Sequence, residues 1–319
     1  MTVYQNIVFV EFILIFNGVE IFLMKVLVTG ASGRLGSNLC RLLLAENVNF
    51  LAVDKVSDPD ASYPVGLADL RDLDQCKDLF NGVGVIAHFA NHASFDRGSV
   101  EEVYNDNVTM NMNLFQSAAN AGCKRIIFSS SIQVFDGQLP VRDRAIQENV
   151  LPYLPMDSEM PPCPRNSYAL SKLAAENALS YFSDTTGITA IVFRFPLLVD
   201  ATMMKDALAQ GGMLRGNAYD GFAYLPVYSA AEAVVKAMSA KVAGCKKYFV
   251  ASKDNLEQRP AREIIDEEMP NLALNLPIER IDSLVDCSRV ETELGWQQPN
   301  SMAESVERFG GLQGVRSYE

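Results

Sequence analysis

From Lys25 onward, short runs of consecutive apolar residues alternate with longer stretches in which apolar positions return every three or four residues. "KVLVT" (25–29) and "FLAVD" (50–54) are uninterrupted enough to be strands buried on both faces, the habit of parallel sheets. Between them Leu35, Leu39, Leu42 and Leu43 fall on one helical stripe, so 25–54 reads as a βαβ unit. The pattern repeats with a strand at "VIAHFA" (85–90), a long helix through 100–122, a strand at "KRIIFSSS" (124–131), a helix from about Ser167 and a strand at "AIVFRF" (190–195). Such alternation predicts an α/β fold built on a doubly wound parallel sheet. After Phe195 the regularity loosens into a smaller, mainly helical C-terminal substrate domain (196–319), with one more strand at "KYFVAS" (247–252) that could return to the main sheet. The spacing of Ser229 and Glu232 in "SAAE" predicts a capping box and a helix start at Ser229.

Residues 1–23, "MTVYQNIVFVEFILIFNGVEIFL", are apolar enough to suggest a membrane segment or a signal peptide. Glu11 and Glu20 oppose a span, at about 2.5–3.5 kcal/mol each near a bilayer centre. There is no basic leader or small-residue cleavage site either. The reading adopted is that the functional chain starts at Met24, that 1–23 is an apolar extension, and that no membrane is engaged.

Composition narrows the function. The 319 residues are 49% hydrophobic and 21% charged, which suits a globular protein. A formal net charge of −12 and the lack of any basic run argue against nucleic acid as a partner. Six cysteines, none in a C-x-x-C pair, suggest neither a disulfide framework nor a zinc site, and a cytoplasmic location is expected. His88 and His92, the only histidines, lack a nearby thiolate or acidic third ligand, so no metal is expected. Cys163 reads as an inert loop thiol, Trp296 as a packing residue where a helix ends at Gly295, and Arg215 as a candidate anchor for an anionic substrate.

Two constellations carry chemistry. Gly30, Gly33 and Gly36 lie where the first strand turns into the first helix, the position at which missing Cβ atoms let a pyrophosphate approach the backbone and the helix N-terminus. Asp54 ends the second strand, where a carboxylate accepts hydrogen bonds from an adenosine ribose and repels a 2′-phosphate. NAD is therefore expected over NADP, with Arg34 inside the turn as the counter-signal. Downstream, "NSYALSKLAAEN" sets Tyr168 and Lys172 four residues apart on one helical face. An ammonium there favours the phenolate of a tyrosine that otherwise titrates near 10, which makes an acid/base pair, and Lys172 can also hold a ribose.

Together these motifs resemble the extended short-chain dehydrogenase/reductases, the NAD-dependent epimerases and dehydratases, over 24 to about 310. The resemblance rests on "TGASGRLG", "ADLRD", "HFAN", "NVTMNMNLFQSAANAGCKRIIFSSSIQVF", "YALSK", "FRFP" and "DCSRVETELGWQQP". It implies a Rossmann-type NAD-binding domain over 24–195, with Tyr168 as acid/base, Lys172 as its electrostatic partner and Ser131 as the hydroxyl that holds the reacting oxygen. On the cofactor it places Ser32, Arg34 and Leu35 with the three glycines, then Asp54, Asp69, Leu70, Phe89, Ala90, Asn91, Asn107, Ser129 and Phe195. It also implies hydride transfer on a small sugar-like substrate, and a homodimer joined through a four-helix interface of 99–121 and 167–182. Departures narrow the reaction. Ile132 and Gln133 replace the acidic pair of the 4,6-dehydratases, no Asn follows "RF" to touch a diphosphate, and Tyr228 and Ser229 stand where the family has paired acids. The Pro-rich step between Ser131 and Tyr168 suggests a semi-rigid flap. The expected activity is a net dehydrogenase or a transient-oxidation epimerase acting on a sugar, sugar acid or nucleotide sugar. The alternative is a dinucleotide-binding redox sensor or scaffold, which would have no need of Ser131, Tyr168 and Lys172 together.

Overall fold

A computed structural model of the chain describes the backbone at 8–10, 13–16 and 19–22, and residues 24–136, 151–211 and 220–309. Arg215 and residues 137–150 of the expected flap lie outside it. The first three strands, β1 (Val8–Val10), β2 (Ile13–Phe16) and β3 (Val19–Phe22), pair antiparallel in a small sheet of their own. Phe16 pairs with Val19. The sequence marks that pairing with Asn17-Gly18, a strong hairpin signal that the apolar reading of the segment overlooked.

The main sheet begins with β4 (Lys25–Thr29), followed by α1 (Arg34–Ala45), β5 (Phe50–Asp54), the edge strand β6 (Val65–Leu67) and α2 (Leu73–Asp78). Then come β7 (Val83–His88), α3 (Val100–Asn120), β8 (Arg125–Ser131), α4 (Gln133–Asp136), α5 (Ser167–Thr186) and β9 (Thr189–Phe195). The C-terminal part adds β10 (Leu197–Val199), α6 (Ala201–Ala209), β11 (Tyr224–Pro226), α7 (Val227–Ser239), β12 (Cys245–Phe249), α8 (Ala261–Glu268), α9 (Ser288–Leu294) and α10 (Met302–Phe309). Seven strands form one parallel sheet in the order β12-β9-β8-β7-β4-β5-β6. It is a Rossmann-type doubly wound sheet, and the strand near 247–252 lies in it as β12, parallel to β9.

Alternation along the strands divides the core. Val26, Val28, Val85, Ile127 and Ile191 point to the face covered by α1 and α7, whereas Leu27, Ile86, Ile126 and Val192 point to the face covered by α3 and α5. Helix starts are set locally. Ser99 and Glu102 form a capping box on α3, and the Asn166 side chain accepts from the Ala169 amide at 2.7 Å, which places Tyr168 in the first turn of α5. Arg125, on a buried strand, donates to the carbonyls of Ala237, Met238 and Ala240 and so closes the C-terminal end of α7.

Two expectations change. Helix α7 begins at Val227 rather than Ser229, because the chain leaves β11 through Pro226. Ser229 lies inside the first turn with its hydroxyl buried and unpartnered, while its carbonyl accepts from the Trp296 indole at 3.1 Å. The Pro-rich segment from Leu151 onward is no free flap, since Leu154 and Met156 are fully buried and bridge to Leu274 and Val285.

A buried ion pair joins the layers. Glu176 of α5 is 0% exposed, accepts from Arg194 of β9 at 3.1 and 2.8 Å and from the Ser130 hydroxyl at 2.6 Å, and lies 3.6 Å from Lys247. Arg194 also donates to the Met160 carbonyl and stacks over Phe135. Replacing Arg194 by Met strands a buried carboxylate and is expected to cost about 3–5 kcal/mol in denaturant unfolding. The double variant Arg194→Met/Glu176→Leu is expected to recover most of that loss.

Candidate active site

The C-terminal ends of the parallel strands open into a cleft of about 890 Å³, at the point where the strand order reverses around β4. Its floor is the glycine turn. Gly30 has φ +70°, and a Cβ there would approach the Ala90 amide to 2.8 Å; a Cβ on Gly36 would come within 2.0 Å of the Gly30 carbonyl oxygen. Only glycine lets the turn close and α1 pack on it. That leaves the first amides of α1 facing the cleft without side chains in the way, a cradle of the shape and polarity a diphosphate requires.

The cleft is lined by Gly30, Gly33, Arg34, Leu35 and Gly36 from the turn, and by Asp54, Asp69 and Leu70 beyond it. Phe89, Ala90, Asn91, Ser129, Ser131, Tyr168, Lys172 and Phe195 complete the wall. The Asp54 carboxylate accepts from the Ser32 amide at 3.0 Å and the Val56 amide at 3.3 Å, fixing it at the end of β5. Asp69 is paired with Arg71, and their hydrogen bond holds the carboxyl below the usual carboxylate range. Arg71 continues to Asp106, which contacts His92 at 3.1 Å. Arg34 sends its guanidinium across to the Leu198 carbonyl at 2.6 Å, toward the C-terminal part of the chain.

Two expected cofactor residues do not line the cleft. Ser32 spends its hydroxyl on the Val56 carbonyl and its amide on Asp54, behind the turn. Asn107 is fully buried, accepts from the His92 amide at 2.7 Å and donates to the Ser171 hydroxyl at 2.9 Å, so it braces α3 against α5 and the loop after β7.

Ser131 and Tyr168 line the same part of the cleft, and the Ser131 hydroxyl accepts from the Gln133 amide at 3.2 Å. Lys172, 3% exposed, donates to Asn91 Oδ1 at 2.8 Å and to the Ser129 carbonyl at 2.7 Å, and its Nζ stands 5.5 Å from the Tyr168 ring centroid. Burial pushes the Tyr168 hydroxyl up to about 12 and Lys172 down to about 7. Gln133 is held by Asn166 at 2.9 Å, and Ile132 is buried, so neither offers a second acid or base.

A polar network beneath the site has no signature along the chain. His88 is 0% exposed, with Nδ1 2.6 Å from the Thr29 hydroxyl and Nε2 2.8 Å from Asn111 Oδ1. Both ring nitrogens are thereby engaged within the fold. No group of three or more His, Cys, Asp or Glu suited to a metal occurs among the described residues. Glu176 was legible in principle, one helical turn beyond Lys172 on the same face.

The fold and the cleft define a doubly wound α/β protein with a dinucleotide-type site. Residues 26–204 match the model of the NAD dependent epimerase/dehydratase family, and the chain belongs to that family. GDP-mannose 3,5-epimerase 1 of Oryza sativa subsp. japonica is 26% identical over 180 residues, 54% of this chain and 46% of the relative. A uronate dehydrogenase of Pseudomonas putida is 26% identical over 223 residues, 65% of this chain and 76% of the relative. The chain thus spans about half of the first relative and three quarters of the second. The structure of UDP-glucose 4-epimerase from Thermotoga maritima superposes with a TM-score of 0.67 at 18% identity, covering 90% of this chain and 97% of that one, a likeness of fold. No described helix is long and apolar enough to cross a membrane.

Burial lowers the His88 ionisation to about 3, against 6.5 for a free imidazole. Between those values the unfolded chain takes up a proton that the folded chain refuses, so stability falls as pH drops from about 6.5 toward 3. The expected slope from this residue is roughly 1 kcal/mol per pH unit. Urea unfolding at pH 7 and pH 5 is expected to show a smaller loss in His88→Gln than in the parent.

Proposed function

We propose that this protein is an NAD-dependent dehydrogenase or epimerase acting on a sugar, sugar acid or nucleotide sugar. The observation that carries the reading is the convergence, in one cleft, of the glycine turn with Ser131, Tyr168 and the buried Lys172. When bound, the nicotinamide dinucleotide supplies the hydride acceptor or donor. The turn of Gly30, Gly33 and Gly36 holds its diphosphate and Asp54 accepts from its adenosine ribose. That carboxylate favours NAD over a 2′-phosphorylated cofactor, and Arg34, engaged with Leu198, does not offset it.

Ser131 holds the substrate oxygen at the face of Tyr168, whose hydroxyl exchanges the proton that leaves or joins that oxygen. Lys172 supports the tyrosine electrostatically and offers its remaining donor capacity to a ribose hydroxyl. Ile132 and Gln133, the two residues that follow Ser131, supply no acid and base of their own for water elimination. Hydride transfer with or without return to the opposite face is the chemistry these groups support.

Incubation with NAD across aldoses, uronic acids and nucleotide sugars is expected to give NADH absorbance at 340 nm with one class, or epimer formation by NMR without net NADH. Tyr168→Phe is expected to lower kcat by about 10²- to 10⁴-fold with dinucleotide binding retained. Turnover unaffected by this substitution, or none on the whole panel despite bound NAD, would overturn the reading.

The same family reading places a second copy of the chain against α3 and α5, which carry the exposed apolar side chains of Val100, Met112, Leu170 and Tyr181. Sedimentation is expected to show a dimer, and Met112→Glu/Tyr181→Glu is expected to shift it toward monomer.

A further inference from the structure

The bonds around Lys172 have a polarity that can be worked out from one end. An amine of this kind only donates, so the atom of Asn91 that faces it at 2.8 Å is the carbonyl oxygen. The amide nitrogen of Asn91 then points the other way, donating to the Ala90 carbonyl at 2.6 Å and to Asn111 Oδ1 at 2.9 Å. Asn111 therefore presents its oxygen to His88 as well, at 2.8 Å, which requires the proton on His88 Nε2 and leaves Nδ1 to accept from the Thr29 hydroxyl at 2.6 Å. Asn111 is 1% exposed, and its own amide nitrogen is left without a hydrogen-bond partner. A buried orphan donor costs about 1–3 kcal/mol, a sacrifice that makes sense if the orientation of the oxygen serves the site.

We propose that Asn91, braced by Asn111 and His88, is a positioning residue that holds the Lys172 Nζ against the Ser129 carbonyl at the base of the cleft. This assignment rests on the reading of Lys172 given above and extends it. Two uncharged acceptors hold the amine in place without forming an ion pair with it. The titratable groups around it fit that arrangement. Tyr168 lies one turn away on α5, and Glu176, one turn the other way, is committed to Arg194 and Ser130. On β7, His88 is kept neutral by burial, and on α3, Asp106 is engaged with Arg71 and His92. Among the described residues no carboxylate is therefore paired with Lys172.

The test uses the full chain without cofactor or substrate. Lysine labelled with ¹³C at Cε is titrated by NMR, with the Lys172 signal assigned by its loss in Lys172→Met. Asn91→Asp sets a carboxylate at the same place and is expected to raise the Lys172 midpoint by about one to three pH units. Asn91→Ser withdraws the acceptor and is expected to lower the midpoint, and Asn111→Ala, which does not touch Lys172, to move it the same way by less. In turnover, Asn91→Ser is expected to reduce kcat about tenfold or more while the KM for NAD changes less than about threefold. Should Asn91→Asp not fold, Asn91→Ser and Asn111→Ala carry the test alone. Midpoints unchanged in the variants that fold would overturn the proposal. The absence of turnover on any sugar would overturn the proposed function and leave the lysine titration to decide this assignment separately.

Discussion

The ion pair between Arg194 and Glu176 is the constraint on which the site depends. Both charges are almost fully removed from water and satisfy each other in bidentate geometry, with Ser130 and Lys247 adding to the surroundings of the carboxylate. Glu176 lies on α5, Arg194 on β9, Ser130 on β8 and Met160 in the segment before α5, so one carboxylate–guanidinium contact sets the rotation of the helix against two strands and a loop. Lys172 and Tyr168 lie one and two turns back along the same helix. A rotation of α5 that moved them out of the cleft would also separate a buried ion pair, which makes their placement a consequence of core electrostatics rather than of local packing alone.

The opposite wall of the cleft depends on close backbone approach instead. The turn after β4 lies against the loop after β7, with Gly30 too near Ala90 to admit a side chain, and α1 lies against the turn itself at Gly36. Parallel strands bring these loops to one edge of the sheet, and the reversal of strand order around β4 separates the helices enough to leave a crevice there. The sheet thus supplies a rigid frame, the glycines let the turn pack closely, and Asn91 after β7 and the Ser129 carbonyl of β8 accept from the lysine.

Beyond Phe195 further contacts join the C-terminal part of the chain to the rest. β10 and β11 pair in parallel, Arg34 reaches the Leu198 carbonyl from the glycine turn, and the segment around Leu154 and Met156 bridges to residues 274 and 285. The two halves are therefore connected directly across the cleft mouth. Replacement of family acids by Tyr228 and Ser229 falls in this half. There Tyr228 stacks on Phe309 and Ser229 is buried against Trp296, so these positions serve packing between α7 and the C-terminal segments.

The sequence alone was sufficient for the alternating strands and helices, the glycine turn and the spacing of Tyr168 and Lys172, because each follows from periodicity or chemistry within a few neighbouring residues. It misread the start of α7, where a proline leaving a strand overrides a capping pattern, and it carried no sign of the bonds that engage Ser32 with Val56 and Asn107 with Ser171. It could not foresee how far burial would raise the ionisation of the Tyr168 hydroxyl, since desolvation depends on what packs around the residue. Tertiary structure also decided the partners of Lys172, His88 and Glu176, which lie on separate elements far apart in the chain. A buried polar atom must find a partner wherever the fold offers one, and that choice is made in three dimensions rather than along the chain.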